Sequence, residues 1–119
     1  MRTPIRLLGL SATSALIAAL VPANLQAGIF ERSLAELSTP DREAMERARR
    51  EVLEKMEPGA VSVWKDEKTG HSGEAHLLRT YERNGMSCAE VVHVLKFPEV
   101  SRYVIPFCRA GDGTWRTAF

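Results

Sequence analysis

Asn84-Gly85 stands between two long runs of alternating polarity, and few dipeptides restrict a chain more. A two-residue hairpin loop of this type needs positive φ at both positions, which asparagine and glycine tolerate. Its handedness also matches the twist of the strands it joins. Glu74–Arg83 and Met86–Phe97 therefore read as antiparallel partners, with Arg83 facing Met86. Continuing outward in an unbroken register, Arg79 meets Glu90, Leu77 meets Val92 and His76 meets His93.

A second hairpin turns near Pro98 and returns along Ser101–Cys108. If Pro98 is its centre, Cys88 falls directly opposite Cys108, so turn position and cysteine position agree without adjustment. Facing residues of a non-hydrogen-bonded antiparallel pair come close enough for a disulfide. The spacing is not Cys-x-x-Cys, and no basic helix start lies nearby to lower a thiol pKa. A structural Cys88–Cys108 bridge is the expectation.

The front of the chain carries a different period. Ser38-Thr39-Pro40-Asp41 reads as a helix start, with Thr39 as cap, Pro40 in the first turn and Asp41 at the positive end of the helix dipole. Met45, Ala48, Val52, Leu53 and Met56 then form one apolar stripe. The other face offers Glu43 with Arg47, Glu46 with Arg50 and Glu51 with Lys55, each four apart. Pro58-Gly59 ends the helix, which is expected over Pro40–Glu57. Ala60–Lys65 reads as a strand, Thr69–Gly73 as a loop, and Thr114–Phe119 as a short last strand after Gly111-Asp112-Gly113. One N-terminal amphipathic helix followed by an antiparallel meander of about five strands, with one cross-strand disulfide, is an α+β fold.

In the unbroken register one sheet face carries Leu78, Ala89, Val91, Tyr103, Ile105 and Phe107. The other carries Leu77, Tyr81, Val92, Val94, Val104 and the cysteines. A single helix covers one such face, and an apolar face left open marks an interface. Leu78, Val91, Tyr103, Ile105 and Phe107 are the interface candidates. His76 and His93, facing each other with Tyr103 or His71 nearby, are where a metal site would have to start. Two nitrogens are too few for zinc, so no metal and no cofactor is assigned. Serine, histidine and acid fall into no nucleophile arrangement, and no glycine-rich phosphate loop is present. The chain is expected not to be an enzyme. Trp64 and Trp115 read as packing residues.

The first 27 residues have another logic. Two arginines precede an apolar run from Leu7 to Val21, which Pro22 breaks, and Ala27 supplies a small residue for cleavage. That order is the order of a secretory signal peptide. At about 15 residues the run is shorter than the roughly 20 that span a bilayer, and no cysteine lies beside the cleavage point to take a lipid. The organisation expected is a signal peptide over 1–27, an N-terminal segment over 28–37 and one domain over 38–119. The mature chain has no integral membrane span. Cleavage turns the formal charge from +1 to −1, with 14 basic against 15 acidic residues. Interleaved signs without a clustered basic face argue against nucleic acid as a partner. An exported chain of this size in an oxidising space suits a covalent staple.

Trp64-Lys65, the glycine-bracketed turn Thr69–Gly73, Tyr81, Asn84-Gly85, Cys88, Cys108-Arg109 and Gly113-Thr114-Trp115 follow one another in a recognisable order. From about Leu37 to Phe119 the chain resembles the carboxy-terminal domain of the bacterial surface-antigen family, which includes seventeen-kilodalton outer-membrane antigens. The helix start at Asp41-Arg42 shares the likeness. Many relatives carry a lipid-attached cysteine and a glycine-zipper hairpin. This chain has neither, so the likeness does not extend to membrane anchorage. It implies a non-catalytic interaction or structural module of the periplasm or outer membrane, working through an envelope partner or self-association. A secreted inhibitor or specific ligand-binding protein is the alternative.

The bridge is directly testable. Thiol titration of the unreduced, denatured protein should find no free cysteine. Reduction should cost about 3 kcal/mol through the loop it opens, lowering Tm by on the order of 10–20 °C.

Overall fold

The computed structural model describes Gly28, Arg32 and residues 34–119. The proposed signal peptide, with Ile29 and Phe30 of the next segment, lies outside the described residues. Among the elements fully described, helix α1 (Thr39–Lys55) precedes five strands, β1 (Val61–Lys65), β2 (Ser72–Arg83), β3 (Met86–Lys96), β4 (Val100–Arg109) and β5 (Trp115–Thr117). The strands form one antiparallel sheet in chain order, a meander. The α+β class holds. The helix stands ahead of the sheet but not at the chain terminus.

Helix α1 starts one residue earlier than its sequence suggests, because Ser38, not Thr39, is the cap. The Ser38 hydroxyl accepts from the Asp41 amide at 3.1 Å, and Asp41 Oδ2 accepts from the Ser38 amide at 3.1 Å. These reciprocal bonds satisfy two amides the helix itself leaves open. The other end comes at Met56, which turns left-handed at φ 51° and donates its N–H to Val52. The stop thus precedes Pro58. The three acid–base pairs expected along the exposed face do not close into ion pairs; Glu51 instead accepts the Ser62 hydroxyl at 2.6 Å. Solvated pairs on a helix contribute only a few tenths of a kcal/mol, too little to fix long side chains.

Ala44, Met45, Ala48, Val52 and Leu53 form the buried stripe of α1, which packs chiefly on β1 and β2. With Leu37, Trp64, Ala75, Leu77, Ala89, Val91, Leu95, Ile105 and Phe107 they make one core. Along β3 the inward residues are Ala89, Val91, His93 and Leu95; along β4, Ile105 and Phe107.

The β3–β4 register is as expected throughout, from Cys88 opposite Cys108 to Lys96 opposite Val100. The two cysteines are bonded, with Cα atoms 4.0 Å apart, and no free cysteine remains. The turn between these strands contains the cis Phe97–Pro98 peptide.

The β2–β3 register departs from the unbroken one. Arg79 does face Glu90, but the next pair is Leu77 with Val91, so Leu78 is an extra residue on β2. This is a β-bulge, with two residues on one strand opposing one on the other. It lets Arg79 keep its 2.6 Å bond to Glu90 on the outer face while Leu77 turns inward to 1% exposure. A continuous register would have forced one of the two onto the wrong side. Two expectations are corrected here. Leu77 belongs to the core and Leu78 to the outer face, and His76 pairs with Val92, not with His93.

At the far end of β2, Trp64 of β1 lies over Gly73, its cross-strand partner. A Cβ at Gly73 would stand 2.6 Å from Trp64 Nε1 and 2.5 Å from the Val94 carbonyl. The glycine is there because an indole occupies the space a side chain needs. Gly73→Ala should destabilise the fold by about 1–3 kcal/mol through overpacking, measured as a lower urea midpoint. Ala at Gly111, where nothing stands within 4 Å, should not.

Candidate interaction surface and the Asp41 network

The sheet has two unlike faces. The inner one is buried, and it includes most of the interface residues expected from sequence. Val91 and Ile105 are wholly buried, Phe107 nearly so, and Tyr103 is half-buried against the same core. Those four are packing residues. Leu78 alone of that set remains a surface residue, and the bulge places it on the opposite side.

The outer face is where exposed apolar side chains gather. Val61 and Val63 of β1, Leu78 of β2 and Val100 of β4 are 46–69% exposed, and register puts all four on this side. Among the described residues the one other large exposed apolar side chain is Phe119, beyond the end of β5. A trough of about 340 Å³ runs over Leu78, Val92 and Val94, with Glu74, His76 and Arg102 along its rim. Glu74 is tied down by His76 Nε2 at 2.7 Å and by Lys96. Those hydrogen bonds, Lys96 first and His76 second, pull its carboxyl below the ordinary value. The disulfide also faces this way, in a cross-strand row that runs Tyr81, Cys88, Cys108, Arg116. Arg79 lies 4.5 Å over the Tyr81 ring and closes one end of that row.

The histidines divide between the faces. His93 is inward, wholly buried and edge-on to Phe107 at 6.4 Å. Burial, with the Arg49 cation nearby, pushes its pKa down to about 3, so it is a neutral core residue at physiological pH. His76 is outward and bound to Glu74. Standing on opposite sides of the sheet, the two cannot ligate one ion. No group of three or more ligating side chains occurs among the described residues.

The third histidine makes a contact that sequence spacing did not reveal. His71 Nδ1 lies 2.7 Å from Asp41 Oδ2, and the Thr69 hydroxyl donates to Asp41 Oδ1 at 2.9 Å. An ionised carboxylate only accepts, so Nδ1 carries the proton toward it. The same imidazole stacks on Phe97, with centroids 3.9 Å apart. Asp41 is fully buried. Burial alone would raise its pKa, but the bonds from His71, Thr69 and the Ser38 amide outweigh that and hold it down to about 2. The network pins the β1–β2 loop to the start of α1. It reads as a structural clamp. A Ser/Thr-x-x-Asp box is visible in sequence; its use by a loop some thirty residues away is not.

No helix among the described residues is long and apolar enough to cross a membrane. Comparison with known proteins returns no matching family model, no matching curated protein and no matching solved structure.

The clamp makes stability depend on acid. A carboxyl whose pKa is depressed in the folded state contributes stability above its unfolded value, near 3.8, and loses it as pH falls through about 2. Melting followed from pH 5 to 2 should show this decline. Asp41→Asn should lower stability at neutral pH by about 2 kcal/mol and flatten the decline. An unchanged acid profile in the variant would show that Asp41 is not its source.

Proposed function

We propose that this protein is a small exported, non-catalytic module of the bacterial envelope, of the surface-antigen type, which docks an envelope protein on the outer face of its sheet. One observation carries the reading: four of the five large exposed apolar side chains among the described residues lie on that face, and one of them, Leu78, lines a trough there with Val92 and Val94. Scattered surface leucines and valines need no explanation, but a rimmed apolar patch on one face of a small domain is how binding surfaces look. The rigidity suits such a role. The disulfide and the Arg79–Glu90 pair fix the strands beneath the patch, so little ordering is needed on binding. The order of tryptophan, turn, tyrosine and cysteine motifs supports the family side of the proposal, and the leader-like 1–27 segment supports export.

A photo-crosslinking residue placed at Leu78 in cells should capture a discrete envelope protein, while the same probe at Glu43 on the exposed helix face should not. The captured chain should begin at Gly28. Crosslinks at neither site, or equally at both, would overturn the docking face. A crosslinked product at twice the monomer mass would replace the partner with a second copy. Recovery of uncleaved chain from the cytosol would overturn export.

A further inference from the structure

Away from the outer face, the second half of α1 and the β4–β5 hairpin form a cleft of about 400 Å³. Arg49 and Arg50 enter it from the helix, Arg109 from the end of β4, and Trp115 walls it from β5. Arg109 and Trp115 are cross-strand partners, and Gly113 at φ 88° turns the hairpin back beneath them. A side chain at Gly113 would touch the Arg109 guanidinium, at 3.8 Å.

Arg49 is the notable member. Its guanidinium lies 4.9 Å over the Phe107 ring, half-buried, and His93 packs edge-on against the same ring. The inner side of this cation therefore meets an aromatic face, and a neutral imidazole packs on that same ring. No carboxylate lies within ion-pair distance of Arg49, Arg50 or Arg109 among the described residues. A partly desolvated guanidinium is costly unless something neutralises it, and a π face offsets only part of that cost. Glu46 and Glu54 also line the cleft, so three cations face two acids and one positive charge is left over. Consistently, burial lowers the Arg49 pKa more than Glu46 restores it.

We infer that this cleft binds an oxyanion carried on a small sugar-like ring, with Arg49 and Arg109 forking the anion, Trp115 lying against the ring and Glu46 or Glu54 accepting its hydroxyls. Guanidinium groups suit planar carboxylate or tetrahedral phosphate because their N–H pairs match two oxygens at once. The aromatic wall and the two acids are what a bare inorganic anion would leave unused. The oxyanion could be a uronate carboxylate or a phosphate, and the two are separated by the probes below. This site lies on the helix side of the molecule and is independent of the partner surface.

Trp115 fluorescence and amide NMR shifts report on the cleft. Galacturonate and glucose 1-phosphate are titrated against glucose, inorganic phosphate and phosphatidylglycerol vesicles. Saturable binding of either anionic sugar, at least ten-fold tighter than glucose or inorganic phosphate and weakened by salt, is expected; which anionic sugar binds tighter identifies the oxyanion. Arg109→Gln, at an exposed position, should weaken it at least ten-fold without altering Tm, and Arg49→Gln should weaken it at least ten-fold as well. Equal affinity for glucose, binding unchanged by Arg109→Gln, shifts confined to residues outside the cleft, binding only to vesicles, or no saturation with either anionic sugar would each overturn the inference.

Discussion

Helix α1 has one apolar stripe, and a stripe of that width buries one face of the sheet it meets. The rest of the molecule is arranged around that asymmetry. Inward positions of β2, β3 and β4 are small or branched where the helix or its neighbours press closest, as at Ala75, Ala89 and Val91. Among the described residues, outward positions receive no such layer. Val61, Val63, Val100 and Leu78 stay at the surface, although a second packed layer would have buried them. A small domain with a one-sided core has less apolar area to oppose chain entropy than a two-sided one. The Cys88–Cys108 bridge acts on the other side of the balance, by restricting the unfolded chain. It sits on the outer face, where the missing layer would have been.

Much of this was legible in the sequence, for identifiable reasons. Asn84-Gly85 and the turn at Pro98 are local signals with little freedom, so both hairpins and the cysteine pairing could be placed from them. Ser38-Thr39-Pro40-Asp41 marked the helix start to within a residue. The error came between Leu77 and Arg79, where the chain resolves a conflict that no local pattern displays. Arg79 wants Glu90 on the outer face, and Leu77 wants the core. Adjacent leucines give alternation no way to choose which one turns inward, and the bulge satisfies both demands by adding a residue. That single slip gave Leu77 and His76 new partners and set Leu78 outside the pairing. The expected interface is core for a separate reason: the face assigned to a partner is the one the helix packs against.

The histidines illustrate why residue type says less than position. In an unbroken register His76 and His93 make a tempting pair. Once the bulge separates them, the three histidines meet three different environments: Glu74 at the surface, Asp41 at a helix start, and a dry core beside Phe107. His76 and His93 both stand between apolar neighbours, so only tertiary structure distinguishes those two. The same holds for Asp41. In sequence it is one more acid in a first turn, favoured by the dipole; in the fold it is the single acceptor that joins helix start, loop hydroxyl and imidazole.

The arginines of α1 carry the argument one step further. A surface helix with acids and bases four apart would be expected to neutralise itself along its own length, yet Glu46 and Arg50 form no close pair here. Arg49, on the edge between stripe and solvent, turns toward Phe107 and spends its charge on a ring. A charge placed as Arg49 is placed is poor for stability, because it is partly desolvated without a full counter-charge. The cleft's arginines are well placed for recognition, because an arriving anion meets cations already held in position by a ring, a hairpin and a helix. The half-buried guanidinium over Phe107 is thus better accounted for by what could enter the cleft than by what the fold itself gains from it.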